Sequence, residues 1–368
     1  MDHSYSYAQV KRDLADALSI VMQSEPSLLG LINHDGAAGA TKHEWMDDKL
    51  VAETDALNGA VLVGANTFVV DGGAKFLADM VLAADGYDEV VRVSAVSGDD
   101  LTVVRGYGGT TAVAIADNTV IRIVSRPRPE ATEKGDDPGR EPTPFWNQRE
   151  IFDFTARVSK TAQAVGLYGI DDAVDFKVQH GLQVLARRFN LAMIYGVRVQ
   201  RDASDNGSLG GFHDQIRRAA GVIVDAAAAA ISDTILNNAI ESIVGLGGRP
   251  NALWCNTNQA RKISAFDSTN LQVVREDQRT GRAVYEFVSD LPMGIIPRIV
   301  VDQNYPKTKL GVVDTTRLRW MPLNARGLSD EDATPPGADY VARRMLGEYR
   351  FEVHNADSAH ALIENLSQ

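Results

Sequence analysis

A run of short β-type segments, set between two extended aromatic stretches and followed by a long amphipathic helix, constrains this chain more than any other feature. The first stretch is Thr41-Lys-His-Glu-Trp-Met-Asp-Asp-Lys-Leu50, with Trp45 at its centre. From about Val61 to Ser125 six runs rich in β-branched residues follow: Thr67–Val70, Met80–Ala83, Glu89–Val96, Leu101–Arg105, Ala112–Ala116 and Thr119–Val124. Turn residues separate them: Asp71-Gly-Gly, Asp85-Gly, Ser97-Gly-Asp-Asp, Gly106-Tyr-Gly-Gly and Asp117-Asn. Val91, Val93 and Ala95 alternate with Arg92, Ser94 and Val96, so one face of that strand is expected to be buried. Short strands with tight turns and no helix predict a small barrel or sandwich.

Residues 126–144 are rich in Pro, Gly and charge, with almost no apolar content, and read as a linker. The second stretch follows, Phe145-Trp-Asn-Gln-Arg-Glu-Ile-Phe-Asp-Phe-Thr155, with Phe152 and Phe154 on one side of an extended backbone. Helical spacing of Val174, Val178, Leu182, Leu185, Phe189 and Ala192 or Met193 predicts a helix from Asp171 to about Tyr195. Asp171 or Asp172 can cap it, because a carboxylate satisfies the free N–H groups of the first turn.

Outside this middle part the signals are plainer. Val10, Leu14, Leu18 and Val21 make one apolar stripe near the N-terminus. A helix is expected from about Ala226, through five consecutive alanines, to Val244, where Gly245-Leu-Gly-Gly-Arg-Pro250 stops it. Asn251–Asn256 reads as a buried strand, and Thr257 or Asn258 opens a helix ending near Phe266. Strands are then expected at Gln272–Arg275, Ala283–Val288, Ile295–Val301, Lys309–Val313, Arg317–Met321 and Met345–His354, an α+β pattern.

Bulk properties exclude several classes. The 368 residues carry 44% apolar and 23% charged residues, enough for two or three cored units. No apolar run approaches the roughly 18–20 residues of a membrane span, and the N-terminus has no signal-peptide pattern. The single cysteine, Cys255, excludes an intramolecular disulfide and points to folding in a reducing compartment. Net charge is −12, and residues 1–150 hold 13 Lys/Arg against 24 Asp/Glu. An acidic half is poorly suited to gripping a nucleic-acid backbone, which takes clustered cations.

Nor do the residues offer catalysis or cofactor binding. Gly106-Tyr-Gly-Gly-Thr-Thr111 leads into β-type residues without a Lys, unlike a phosphate loop. The seven histidines, at positions 3, 34, 43, 180, 213, 354 and 360, never take metal-ligand spacing. Cys255 lies in an apolar run, the setting of an inert core thiol. Asp47-Asp48 and Asp99-Asp100 read as solvated turns or edges. The aromatics Trp45, Phe145, Trp146, Phe152 and Phe154 instead gather on the two extended stretches, where large amphipathic rings suit an interface.

Order and spacing together resemble a family. Thr41–Leu50 with Ala52 and Asn58-Gly59-Ala60 resembles the N-terminal signature of one group of tailed-bacteriophage major head proteins. Leu101-Thr-Val-Val-Arg-Gly-Tyr-Gly-Gly-Thr-Thr, continuing to Val120–Val124, is similar to a β-segment that recurs in phage structural proteins. Ser159-Lys-Thr-Ala-Gln-Ala-Val, the long helix, and Gly210-Gly211 complete the order, and the likeness covers most of residues 41–212.

The resemblance implies the Hong Kong 97-type capsid fold, an α+β architecture with an inserted all-β module. By that mapping residues 1–40 are an N-terminal arm, and 41–60 and 143–160 are the strands of an extended loop. Residues 61–126 are the inserted module, 127–142 a linker, and 161–220 a peripheral domain with its spine helix. Residues 221–300 are mainly axial domain, and 301–368 return to the peripheral domain. The implied function is a non-enzymatic, self-assembling shell of hexamers and pentamers around packaged double-stranded DNA, bound without sequence specificity. Implied partners are further copies of the chain, a separate scaffolding protein, a portal and a decoration protein. No membrane and no cofactor enter, and the implied location is the virion, assembled in the host cytoplasm. Rival readings are an encapsulin-like compartment shell, an α+β enzyme or small-molecule binder, and a tail or adhesion protein.

Overall fold

The computed structural model describes residues 28–34, 42–48, 53–128, 130, 142–165, 172–266, 271–274, 284–287, 289, 297–324 and 326–368. The stripe at Val10–Val21 and most of the 127–142 linker lie outside these residues. The chain divides into two compact units, one of Met1–Asp47 with Pro144–Gln368 and one of Asp48–Thr143. Strand β1 (Lys42–Asp47) belongs to the first, after which the chain passes into the second.

The second unit is the expected β-module. Its strands are β2 (Thr54–Ala56), β3 (Thr67–Val69), β4 (Val81–Ala84), β5 (Val90–Ser97), β6 (Asp100–Val104) and β7 (Val120–Ser125). They form one antiparallel sheet in the order β2-β7-β4-β5-β6-β3. Leu57, Phe68, Leu82, Val93 and Leu101 are buried at its core. Two details differ from the pattern read in sequence. A bulge between Val93 and Ala95 inserts one residue, so parity flips and Ala95 faces solvent instead of the core. Ala112–Ala116 is not a strand, because Val113 gives both its backbone groups to the Glu89 and Arg105 side chains and only Ile115 bridges Val61.

The first unit resumes with β8 (Thr143–Gln148), which pairs with β1, and continues through β9 (Glu150–Ser159) and α1 (Lys160–Val165) to α2 (Ala173–Tyr195). Helix α2 is about 35 Å long at 1.5 Å per residue. Asp172 caps it, its Oδ1 accepting from Val174 N at 2.7 Å and Asp175 N at 3.3 Å. Its buried stripe runs through Val174, Gly181, Leu185, Phe189 and Met193, while Leu182 faces solvent.

Beyond α2 come α3 (Phe212–Arg218), β10 (Val222–Asp225), α4 (Asp233–Gly245), β11 (Ala252–Cys255) and α5 (Thr257–Ile263). Then follow β12 (Leu271–Val274), β13 (Val284–Phe287), β14 (Arg298–Val301), β15 (Leu310–Val313) and β16 (Leu318–Pro322). The chain ends with β17 (Ser329–Asp332), β18 (Tyr340–Val353) and β19 (Ala361–Glu364). Two sheets organise these elements. One is mixed, in the order β10-β19-β15-β11-β14-β13-β12. In the other β18 is central, flanked by β16 and β17 on one edge and by β9 over ten residue pairs on the other.

The helix expected from Ala226 begins instead at Asp233, capped by Ser232. Ala226 N and Ala228 N donate to Glu364 O and Asn365 O, extending the parallel β10–β19 pairing, and Ala227 and Ala228 take left-handed φ of 48° and 62°. Sheet pairing thus overrides the helix propensity of the alanines. Parts of the two segments expected as extended-loop strands pair elsewhere. Residues 54–56 are an edge strand of the β-module, and 150–159 belong to the β18 sheet, leaving β1 and β8 as the two-stranded ribbon.

Candidate inter-subunit surface

The β1–β8 ribbon is held to its own unit by its buried side chains. Asn147 is fully buried and makes four hydrogen bonds. Its Oδ1 accepts from Gly210 N and Gln148 N, and its Nδ2 donates to Gly210 O at 2.8 Å and Phe351 O at 2.7 Å. Gly211, next to this contact, lies so close to the end of α2 that a Cβ would sit 2.6 Å from Ala192 O. On the other strand Trp45 is buried, with its Nε1 donating to Asp47 Oδ2 at 3.2 Å and its ring 5.7 Å from that of His354. Asp47 is not a solvated turn residue as its sequence context implied. It is buried and also accepts from Asn355 N at 2.8 Å.

The five aromatic candidates therefore separate. Trp45 and Phe152 are committed to their own unit, Phe152 edge-on to Phe189 at 4.8 Å between centroids and 5% exposed. Pairing of β9 with β18 is what turns Phe152 onto α2. Phe154 is half-buried against α2, over Gly181. Phe145 and Trp146, likewise half-buried, lie on the ribbon. Trp146 lies between two cations, with the Arg198 guanidinium 3.8 Å and the Lys42 ammonium 4.9 Å from its ring, a cation–π arrangement.

Sequence reasoning missed the feature of the β-module that most invites a partner. Leu62 and Val63 are 73% and 53% exposed on the turn between Val61 and Ala65. The turn is not loose. Arg105 Nη1 donates to Leu62 O and Ala65 O, both at 2.9 Å, while Nε and Nη2 meet Glu89 in a bidentate pair at 2.6 Å. Glu89 is buried and accepts in addition from Val113 N and Gly106 N. Burial pushes the Glu89 carboxyl up, but these donors and the Arg105 charge together hold it below its ordinary range. The glycine-rich run after Arg105 is thus a turn whose Gly106 N–H already points at a carboxylate. Apart from the order of apolar and turn residues, nothing local in Ala60–Ala65 signalled this arrangement, because its anchor lies some forty residues downstream.

Cys255 and His213 are both engaged in packing. Cys255 is fully buried in β11, and burial pushes its thiol up to about 12. His213 is buried against Tyr305 Oη at 3.0 Å, and burial, with lesser repulsion from Lys309 and Arg217, drives it down to about 3.

Comparison with solved structures defines the class. The chain is similar to a protein of the cyanophage A-1(L) capsid asymmetric unit, with TM-score 0.57, 12% identity and 100% of both chains covered. A structure from Mycobacterium phage Bobi matches with TM-score 0.51 at 11% identity, again over 100% of both chains. The capsid of an empty GTA particle matches with TM-score 0.50 at 11% identity, over 100% of this chain and 99% of that one. At such low identity these likenesses establish the fold, an α+β capsid fold. Residues 2–367 match the SU10 major capsid protein family, and the chain belongs to that family. Its role is accordingly structural, the formation of a bacteriophage capsid in the virion. No curated protein sequence matches the chain.

Proposed function

We propose that copies of this chain tile an icosahedral head as hexamers and pentamers, enclosing double-stranded DNA without sequence-specific contacts. The observation that carries this reading is the rigid turn presenting Leu62 and Val63 to solvent. A folded monomer gains nothing from two fixed, exposed aliphatic side chains, whereas an assembling subunit gains contact area without an ordering cost. Heterologous contacts of this kind are what a closed shell of identical subunits requires. Phe145 and Trp146 on the ribbon are the second contact region.

In this reading the segment ahead of β1 is the arm, β1 and β8 are the extended loop, and α2 is the spine of a peripheral domain built on the β18 sheet. The seven-stranded sheet with α4 and α5 is the axial domain, in a Hong Kong 97-type arrangement. A separate scaffolding protein, a portal and a decoration protein are the expected partners, assembly takes place in the host cytoplasm, and no catalytic step is involved. Negative-stain electron microscopy of the overexpressed protein tests the reading. Rings or closed shells are expected. A protein that stays monomeric at every concentration tried overturns it.

A further inference from the structure

We propose that His354, set between two carboxylates where the chain leaves the first unit, is a protonation-dependent latch on the root of the β1–β8 ribbon. Its Nδ1 lies 3.3 Å from Asp47 Oδ1, on β1, and its Nε2 lies 3.1 Å from Glu352 Oε2, on β18. A neutral imidazole carries one N–H and could satisfy only one of these acceptors, leaving a lone pair facing the other. The imidazolium satisfies both and ties β1 to β18. Asp47 is the last residue of the first unit before the crossing, so the tie acts at the point of exit.

The surroundings are charged on every side. From β1, His43 Nε2 lies 2.9 Å from Glu352 Oε1. From β18, Arg350 Nη2 lies at the same 2.9 Å, and both are ion contacts without the geometry of a hydrogen bond. Arg319 on β16 faces Arg350. Beneath the ring, His360 Nε2 meets His354 O at 3.2 Å, with Asp314 and Arg317 beyond it. Burial drives His360 down to about 4, so it stays neutral where His354 titrates. The His354 side chain keeps 21% of its surface exposed, leaving a route for protons.

Burial opposes charge on His354, yet the Asp47 and Glu352 bonds outweigh it and hold its pKa above the ordinary 6.5. Burial likewise opposes charge on Glu352, but His354, His43 and Arg350 bring that carboxyl down from 4.5 to about 2. The two signs define a window. The His354 contribution is complete below 6.5 and is lost as pH rises through its raised folded value. The Glu352 contribution is complete above 4.5 and is lost only as pH falls toward about 2. The latch is therefore closed below 6.5, down to the acid range where Glu352 protonates, and opens as pH rises through the raised His354 value.

That an opened latch would loosen contacts between copies rests on the assembly reading above; the latch itself is a property of one subunit. Hydrogen exchange with mass spectrometry on unassembled subunits from pH 6 to 9, corrected for intrinsic rates, tests it. Protection of amides in 42–47 should fall severalfold across that range, while β9–β18 amides hold. In His354→Gln the 42–47 protection should already be low at pH 6 and change no further. Glu352→Gln, which leaves Asp47 as partner, should move the wild-type transition to lower pH. A flat wild-type profile overturns the latch, as does the same alkaline loss in His354→Gln. Should His354→Gln fail to fold, the wild-type profile and Glu352→Gln decide between these outcomes. Subunits that show the transition but never form rings or shells would retain the latch and overturn the assembly reading.

Discussion

Gly181 shows how one side chain, or its absence, sets the packing of α2. A Cβ there would lie within 2.7 Å of Met345 Cε and closer still to the Phe154 ring. An alanine in a helix interior normally stabilises by up to about 1 kcal/mol relative to glycine. Here overpacking costs about 1–3 kcal/mol, so the sign should reverse. Gly181→Ala is expected to lower the urea midpoint of the unassembled subunit; a raised midpoint would show that Phe154 yields freely. Asn147 is the complementary case. Asn147→Ala strips partners from buried backbone groups and should cost about 2–3 kcal/mol. Gln215 Nε2 still reaches Gly210 O and Phe351 O, which limits the loss. Asn147→Asp should be no better than alanine, because a carboxylate oxygen would face two carbonyls. Equal midpoints for Asn147→Asp and wild type would contradict that.

Among the elements, the β-module shapes its 61–65 and 106–113 segments through the buried Arg105–Glu89 ion pair. Removing one partner of such a pair typically costs about 3–5 kcal/mol, because the other is left charged and unpaired. Glu89→Gln should therefore loosen the 61–65 and 106–113 segments, read as lost hydrogen-exchange protection there, with α2 unaffected. The pH sign follows from the depressed Glu89 carboxyl. Its contribution is present above the ordinary 4.5 and is lost as pH falls through the lower folded value, so the module should be acid-labile only below 4.5. Loss of module protection already at pH 6 would contradict this. The N-cap of α2 is a smaller effect. Asp172→Ala should cost about 1 kcal/mol, visible as fraying of the first turn and not as global unfolding.

For the assembling protein, folding and association should be separable. Leu62→Asp with Val63→Asp changes two exposed side chains, so the unfolding midpoint should move by no more than about 0.5 kcal/mol. Particle yield in electron microscopy should fall sharply. Undiminished shells from the double variant would remove this turn from the list of contacts. Trp146 offers a contrast, since its ring is already covered by Arg198 and its loss should affect folding and assembly together. Phe145, half-buried on the same strand, is the second probe of the ribbon's contacts.

Local order along the chain was enough to expect the β-module, the long helix with its aspartate cap, the buried Cys255 strand and the order of parts that marks a capsid subunit. The module, the helix, its cap and the strand are written in short-range periodicity or in turn and cap chemistry, which depend on neighbours a few residues away; the order of parts pointed to a capsid subunit only through its resemblance to a known family. Pairing between distant segments decided the rest. Residues 150–159 joined β18 instead of lengthening the ribbon, the alanine run gave way to β19, and Gly181 took the buried place that spacing assigned to Leu182. The His354–Asp47 contact and the Arg105–Glu89 anchor join residues 307 and 16 positions apart. Neither local propensity nor hydrophobic period carries information about partners at that separation; only the folded chain brings them within bonding distance.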